Sequence, residues 1–367
     1  MGWYQRRPHR EALRGCGKLL GVQELLRLLE QEGLDGLYLT KPESVRYLSD
    51  FSAPEDAQVY VSREGALLLT DGRYAVQAEE ESRIPFKILT REERKAFLGS
   101  LEGRVGFEAE HLPYARLEEL RELAPVEWVP TRGLVERLRV RKTPEEVQRI
   151  QKAQALADEA FRHVLARVAP GVREVDLALE LEFHLRRHGA EAAAFPIIVA
   201  SGPRGAMPHG VASEKVIREG EMVTVDFGAR YLGYHSDLTR TFGVGRVEPE
   251  KKRLFHAVLL ALEEVLAQLG PGRSTKELDA LARRVLEKEG LKEYFTHSLG
   301  HGVGLAVHEA PGLNAYTEEV LEPGMVVTVE PGVYLPGFAG VRVEELVLIT
   351  EGGFQLLSRL DRGWLEV

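Results

Sequence analysis

Two stretches about a hundred residues apart read almost alike, Glu-Gly-Glu-Met-Val-Thr-Val-Asp-Phe-Gly at 219–228 and Glu-Pro-Gly-Met-Val-Val-Thr-Val-Glu-Pro-Gly at 322–332. Each is an apolar strand pattern that ends in a carboxylate. Asp226 is followed eleven residues later by Asp237, and Glu330 fourteen residues later by Glu344, so each copy delivers a pair of acids. His301 lies between the copies. Four carboxylates and one imidazole form a ligand set for two divalent cations. Its oxygen-rich donors suit Mn²⁺ or Co²⁺, with Fe²⁺ or Zn²⁺ as alternatives. Forced together without a cation, such acids repel, and at least one pKa rises strongly. A water bridging two such ions about 3.5–4 Å apart loses its proton near neutral pH and becomes a nucleophile, while the second ion polarises a carbonyl. That is the chemistry of amide hydrolysis.

The remaining histidines divide by context. Gly300-His301-Gly302-Val303-Gly304 lets the backbone come close to the site, which suits a ligand imidazole, and lacks the spacing of a dinucleotide fingerprint. His209 and His308 sit in Gly/Pro-rich segments, where a functional and a packing role are both open. His163, His184, His188 and His256 fall on charged helical patterns and are expected at the solvated surface. The basic run from Arg137 to Lys142 is expected to be an exposed stretch.

Period-two alternation sends Val223, Val225 and Phe227 to one face and Thr224 and Asp226 to the other. Asp237, Thr239 and Thr241 alternate likewise on a returning strand, so the two aspartates can meet across a hairpin. Pro170-Gly171 precedes a leucine-rich helix ending at Gly189, and Pro271-Gly272 precedes another ending at Gly290. Helices and strand acids repeat in nearly one register, which predicts two similar αβ halves. Ahead of them, Thr143-Pro144-Glu145-Glu146 is a capping box opening a helix to about Val168. Earlier still, short β runs at Gly36, Gln58, Ala66, Phe86 and Val105 alternate with helical stretches over 73–82 and 114–123, describing a small α/β unit.

A chain of 367 residues is long enough for two domains. The expected division is a basic tail over 1–20, an N-terminal domain over 21–138 and a catalytic domain over 139–367. A formal net charge of −9 argues against phosphate-backbone binding, so no nucleic-acid partner is expected. No apolar run approaches the roughly 20 residues that span a bilayer, so no membrane partner is expected. Cys16, the only cysteine, rules out an intramolecular disulfide and thiolate metal chemistry and suits a cytoplasmic protein. Asn314 is the only asparagine, and that scarcity suits a thermophile.

Ser201-Gly-Pro, Pro208-His-Gly, Val225-Asp-Phe-Gly, Ser236-Asp-Leu-Thr-Arg-Thr-Phe, His301-Gly-Val-Gly-Leu-Ala-Val-His-Glu-Ala-Pro, Glu330-Pro-Gly-Val-Tyr and Val341-Arg-Val-Glu-Glu together resemble the pita-bread metallopeptidases, specifically the proline peptidases. The resemblance runs in order over roughly residues 140–360. The preceding domain resembles the creatinase-like domain of aminopeptidase P and prolidase. The implied fold is α/β (α+β), a small creatinase-like N-terminal domain followed by a pseudo-twofold pita-bread catalytic domain. The resemblance implies that Asp226, Asp237, His301, Glu330 and Glu344 are the metal ligands, with Asp237 and Glu344 bridging. It also implies that Glu330 shuttles the proton, that His209 stabilises the tetrahedral intermediate, and that His297, His308 and Arg342 orient the substrate or Glu344. Methionine aminopeptidases share the five ligands but ordinarily lack so large an N-terminal domain and the arginine two residues before the last Glu, which favours Xaa-Pro cleavage. The stretch Thr70-Asp-Gly-Arg-Tyr around Arg73 resembles aminopeptidase P, so the expected activity is that of an Xaa-Pro aminopeptidase acting on proline-containing peptides, with an Xaa-Pro dipeptidase as the alternative and a catalytically silent binding protein as a third reading. The family suggests a homodimer.

Overall fold

The computed structural model describes the chain from Cys16 onward; residues 1–15, most of the expected basic tail, lie outside the described residues. The first helix, Cys16–Gln31, starts inside the stretch expected to be tail. It stops where Gly33 takes a φ of +64°, a conformation a side chain would strain. The chain divides into two compact units, Met1–Arg139 and Val140–Val367.

The first unit is built on a six-stranded mixed sheet in the order Phe86–Ile88, Gly65–Thr70, Gln58–Ser62, Gly36–Leu39, Arg104–Glu108, Glu127–Thr131. Gly36–Leu39 is buried throughout, as a central strand covered on both faces must be. Gln58–Ser62 alternates, with Val59 and Val61 in the core and Gln58 and Tyr60 half-buried. The helical stretches appear as Ala75–Glu81 and Tyr114–Leu123. Arg73 is engaged by acids on either side, with Nη2 2.8 Å from Asp56 and 2.9 Å from Asp71. Its guanidinium therefore has a structural use.

The second unit opens with Pro144–Leu165, and both bonds of the expected capping box are made, Thr143 N to Glu146 Oε2 at 2.8 Å and Glu146 N to Thr143 Oγ1 at 3.3 Å. Helix Glu174–Arg187 follows, and its counterpart Thr275–Lys288 lies 101 residues later at both ends. In the first half, strand Met222–Phe227 runs between Ile198–Ser201 and Leu238–Gly243. In the second, Val326–Val329 runs between Gly300–Gly302 and Glu345–Thr350 within a five-stranded sheet. Each half has its own core: Val223, Val225 and Phe227 join Leu177, Leu181 and Leu185 in one, and Val327 and Val329 join Leu278, Val285 and Leu286 in the other. In both, the apolar face of a strand packs on the amphipathic face of a helix, leaving the polar face free for the acids.

Two expectations about charged positions need correction. Within the basic run, Arg139 and Lys142 are buried at 4% and 7% exposure. Lys142 Nζ sits 2.9 Å from Glu309 Oε1, a carboxylate far away in sequence that a local pattern does not reveal. Of the histidines expected at the surface, His188 and His256 are exposed but His163 and His184 are half-buried. Their rings lie 4.3 Å apart, with His163 Nε2 3.1 Å from Glu180. Among the described residues no helix is long and apolar enough to cross a membrane.

Candidate active site

The register of the first half puts Asp226 opposite Thr239. Asp237, two residues before Thr239, is therefore on the same face and diagonal to Asp226. In the second half Val329 stands opposite Glu345, so Glu330 and Glu344 face one another one step further along. The halves meet on the polar face of Leu238–Gly243: Thr239 Oγ1 donates to Glu344 Oε2 at 2.8 Å and Thr241 Oγ1 to Arg342 O at 2.9 Å. That seam brings Asp226, Asp237 and Glu344 together, with one carboxylate oxygen from each lying within 4.8 Å of the others.

All three are buried. Burial, then repulsion from neighbouring acids, pushes the carboxyls of Asp237 and Glu344 well above the usual carboxylate range. Asp226 is raised by burial in spite of the Arg342 charge beside it. Glu330 goes the other way. Burial opposes its charge, but the hydrogen bond and charge of His301, followed by the charges of His297 and Arg342, bring it down to about 2. Asp226 Oδ1 and Glu344 Oε1 have no hydrogen-bond partner. Buried carboxylate oxygens without partners are rare and costly, and a divalent cation is the partner that satisfies several at once. These donors fit such a cation.

His301 Nε2 approaches Glu330 Oε1 at 3.2 Å and Asp237 Oδ2 at 3.7 Å. The glycines on either side are needed for this approach: a Cβ at Gly300 would lie 2.1 Å from the Thr328 carbonyl oxygen, and one at Gly302 2.3 Å from that of Ala310. Thr328 Oγ1 accepts from His301 N at 3.0 Å and donates to Glu330 Oε1 at 3.0 Å, tying the His301 backbone to the Glu330 carboxylate. Burial disfavours a charge on His301, but Glu330 raises its imidazole all the same.

Asp226, Asp237, His301, Glu330, His209, His297, His308 and Arg342 line one cleft of about 540 Å³, a size suited to a small peptide. Glu344 lies behind this wall, buried with the aspartates. Phe195, Pro196, Ile198, Val211 and Val307 give the cleft an apolar side. His209 and His308 are exposed at the rim. The His308 ring centroid is 4.2 Å from that of His301, and burial followed by the His301 charge lowers its pKa.

The guanidinium of Arg342, expected to orient the substrate or Glu344, bonds Asp226. Its other contacts are Tyr334 Oη at 2.5 Å, Thr239 Oγ1 at 3.2 Å and the Pro208 carbonyl at 3.3 Å. Tyr334 also takes part, with Oη 2.9 Å from His297 Nε2 and a pKa pushed up by burial to about 12. Sequence reasoning assigned roles to neither Tyr334 nor Thr239 and Thr328. A signal existed for Thr328, which precedes Glu330 by two residues as Thr224 precedes Asp226.

A family model described as Metallopeptidase family M24 matches residues 148–351, and one described as Creatinase/Prolidase N-terminal domain matches residues 22–141. The chain is 37% identical to an Xaa-Pro dipeptidase of Pyrococcus horikoshii over 93% of its own length and 97% of that protein. Among solved structures it resembles an Xaa-Pro dipeptidase from Bacillus anthracis, with a TM-score of 0.92 and 39% identity over 95% of this chain and all of that one. It also resembles an X-Pro aminopeptidase from Thermotoga maritima, with a TM-score of 0.86 and 32% identity over 92% of this chain and 99% of that one. A creatinase-like domain ahead of a pseudo-twofold catalytic domain is thus both the expected and the observed architecture.

Proposed function

The chain belongs to metallopeptidase family M24, with a creatinase/prolidase N-terminal domain ahead of the catalytic unit, and on that footing we propose that it is a metallo-exopeptidase hydrolysing the Xaa-Pro bond of dipeptides. The observation that carries the chemistry is the buried cluster of Asp226, Asp237 and Glu344, with unpartnered oxygens, beside the paired His301 and Glu330. The restriction to dipeptides, the alternative from sequence, is supported above the aminopeptidase reading by the full-length similarity to Xaa-Pro dipeptidases.

Asp226, Asp237, His301, Glu330 and Glu344 would hold two divalent cations, Mn²⁺ or Co²⁺ in preference to Fe²⁺ or Zn²⁺, with Asp237 and Glu344 shared between them. Bound there, the ions supply Lewis acidity and acidify water near neutral pH. Glu330, at the cleft wall, takes a proton from the attacking water and returns it to the prolyl nitrogen. His209, at the rim, donates to the oxygen that gains charge as the carbonyl becomes tetrahedral. His308 orients the substrate and assists that transfer. The apolar wall from Phe195 to Ile198, with Val211 and Val307, receives the pyrrolidine ring, while His297 and Arg342 fix the polar side.

One observation favours the aminopeptidase as a second reading. Arg342 is the only guanidinium among the described residues lining the cleft, and Asp226 and Tyr334 occupy it, so the free carboxylate of a dipeptide would have to rest on imidazoles. The deciding measurement is kcat/KM for an Xaa-Pro dipeptide against an Xaa-Pro-Yaa tripeptide with Mn²⁺ or Co²⁺. A clear preference for the dipeptide is expected; preference for the tripeptide selects the aminopeptidase. Absence of turnover on both, with metal bound, returns the silent binding protein.

A further inference from the structure

Lys142 is a buried cation that the chemistry of the cleft does not use. Its side chain is 1% exposed, and Nζ lies 2.9 Å from Oε1 of Glu309, whose side chain is 8% exposed. Nζ also donates to the Val140 carbonyl at 3.2 Å, and Lys142 N donates to the Gly324 carbonyl at 2.8 Å, so the cation stands on fixed backbone. Stability alone does not call for such a pair, because apolar side chains of similar volume hold a core at least as well. What Glu309 touches gives the pair a use.

Glu309 directly follows His308 and stands opposite Gly302, at a register shift between His301 and Gly302. Its Oε2 accepts from Ala306 N at 3.4 Å. Gly304 makes room for it, since a Cβ there would lie 2.3 Å from Glu309 Oε1. Within the segment 303–308, Gly304 and Ala306 thus abut one carboxylate, while Val303 N donates to the Val326 carbonyl at 3.1 Å and the Gly304 carbonyl is held from outside by His235 N at 2.8 Å. Among the described residues no hydrogen bond holds the His308 ring itself; its neighbour is the His301 ring at 4.2 Å. Where the imidazole sits is therefore set by the loop, the loop by Glu309 together with these backbone bonds, and Glu309 by Lys142.

We propose that Lys142, through Glu309, is a positioning residue for His308, a role that rests on the proposed chemistry of the cleft. Lys142→Met alone strands a buried carboxylate and can fail to fold, so the informative variant is Lys142→Met/Glu309→Leu, which removes both charges and keeps apolar volume. It is expected to keep wild-type Tm and metal content while kcat on the cleaved Xaa-Pro substrate falls by about 10²-fold, the effect of a misplaced group, with KM unchanged. Adding His308→Ala in that background should deepen the loss no further, because both changes remove the same contribution. Glu309→Gln keeps one acceptor oxygen, enough for Lys142 or for Ala306 N but not both, so its kcat should fall between wild type and the double variant, and it serves alone if the double variant does not fold. Wild-type kcat in the folded double variant, losses that multiply with His308→Ala, or wild-type kcat in Glu309→Gln would each overturn the proposal. His308→Ala is measured by itself as well. Wild-type kcat there overturns the role given to His308 and this proposal with it, whereas a slow His308→Ala beside a fast double variant overturns this proposal alone.

Discussion

Between Asp226 and Asp237 the chain makes a tight hairpin, Ala229–Tyr231 against Tyr234–His235; between Glu330 and Glu344 it makes a longer one, Gly332–Leu335 against Ala339–Arg342. The short hairpin uses its side chains for packing. Tyr234 Oη donates to Glu146 at 2.7 Å on the helix that opens the unit. The long hairpin turns back toward the acids, and its Tyr334 and Arg342 meet His297 and Asp226. The second half also supplies His297, His301 and His308, whereas the first contributes a single cleft imidazole, His209. Repetition of strand and helix delivers the acid pairs; the unequal hairpins and loops provide the groups proposed to handle substrate.

The acids are where the halves should behave alike, and where effects are largest. Asp237→Ala and Glu344→Ala, one proposed shared ligand from each half, are each expected to lose both metal and turnover. Metal per chain and activity are measured together, and two tightly held equivalents in either variant would break the equivalence. Chelation should do the same without mutation: refilling the site at a hundred times the Kd adds about 2.7 kcal/mol to stability, read as a rise in Tm. No shift on adding Mn²⁺ or Co²⁺ would count against a built metal site.

His209 tests whether the first half contributes more than acids. His209→Ala should retain metal and lose about 10²–10³-fold in kcat, the usual cost of one transition-state donor. Full activity with metal bound would leave the substrate chemistry to the second half alone.

The hairpin tyrosines separate packing from chemistry. Tyr334→Phe removes the hydroxyl between His297 and Arg342 and should lower kcat by about tenfold or more, on the scale of a hydrogen bond to a charged group. Tyr234→Phe should instead lower Tm by removing the tyrosine donor from Oε1 of buried Glu146, with kcat unchanged. A reversal of the two readouts would mean that the hairpins have been assigned the wrong tasks.

Much of the site was legible because its signals are local. The strand acids follow from period-two alternation, the glycines around His301 from close backbone approach, and the repeat from two helices spaced alike. What escaped depends on partners distant in sequence. Arg342 reaches Asp226 across 116 residues, and nothing in Val341-Arg-Val-Glu marks that choice over nearby Glu344. Lys142 reads as part of a solvated basic run until Glu309 is folded against it. Tyr334 sits in a quoted motif, but its value lies in having His297 and Arg342 on either side, which only the tertiary fold decides.

The finest comparison is between Thr224 and Thr328, each two residues before a strand acid and each on the acid's own face. Thr224 Oγ1 pairs with Thr241 Oγ1 at 2.9 Å, one step removed from Asp226. Thr328 Oγ1 instead joins His301 N to Glu330 Oε1, both at 3.0 Å. Valine in place of either keeps the β-branched shape and removes only the hydroxyl, so folding alone should distinguish the two variants little. Thr328→Val takes one of two partners from Glu330 Oε1, leaving His301 Nε2, and frees the His301 backbone N–H, a loss expected to lower kcat about tenfold. Thr224→Val leaves Thr241 its bonds to Arg342 O at 2.9 Å and from Arg342 N at 3.2 Å, so turnover should stay at the wild-type level. Equal losses in the two variants would show that the duplicated threonines carry the same burden and that the asymmetry between the halves begins only at the hairpins.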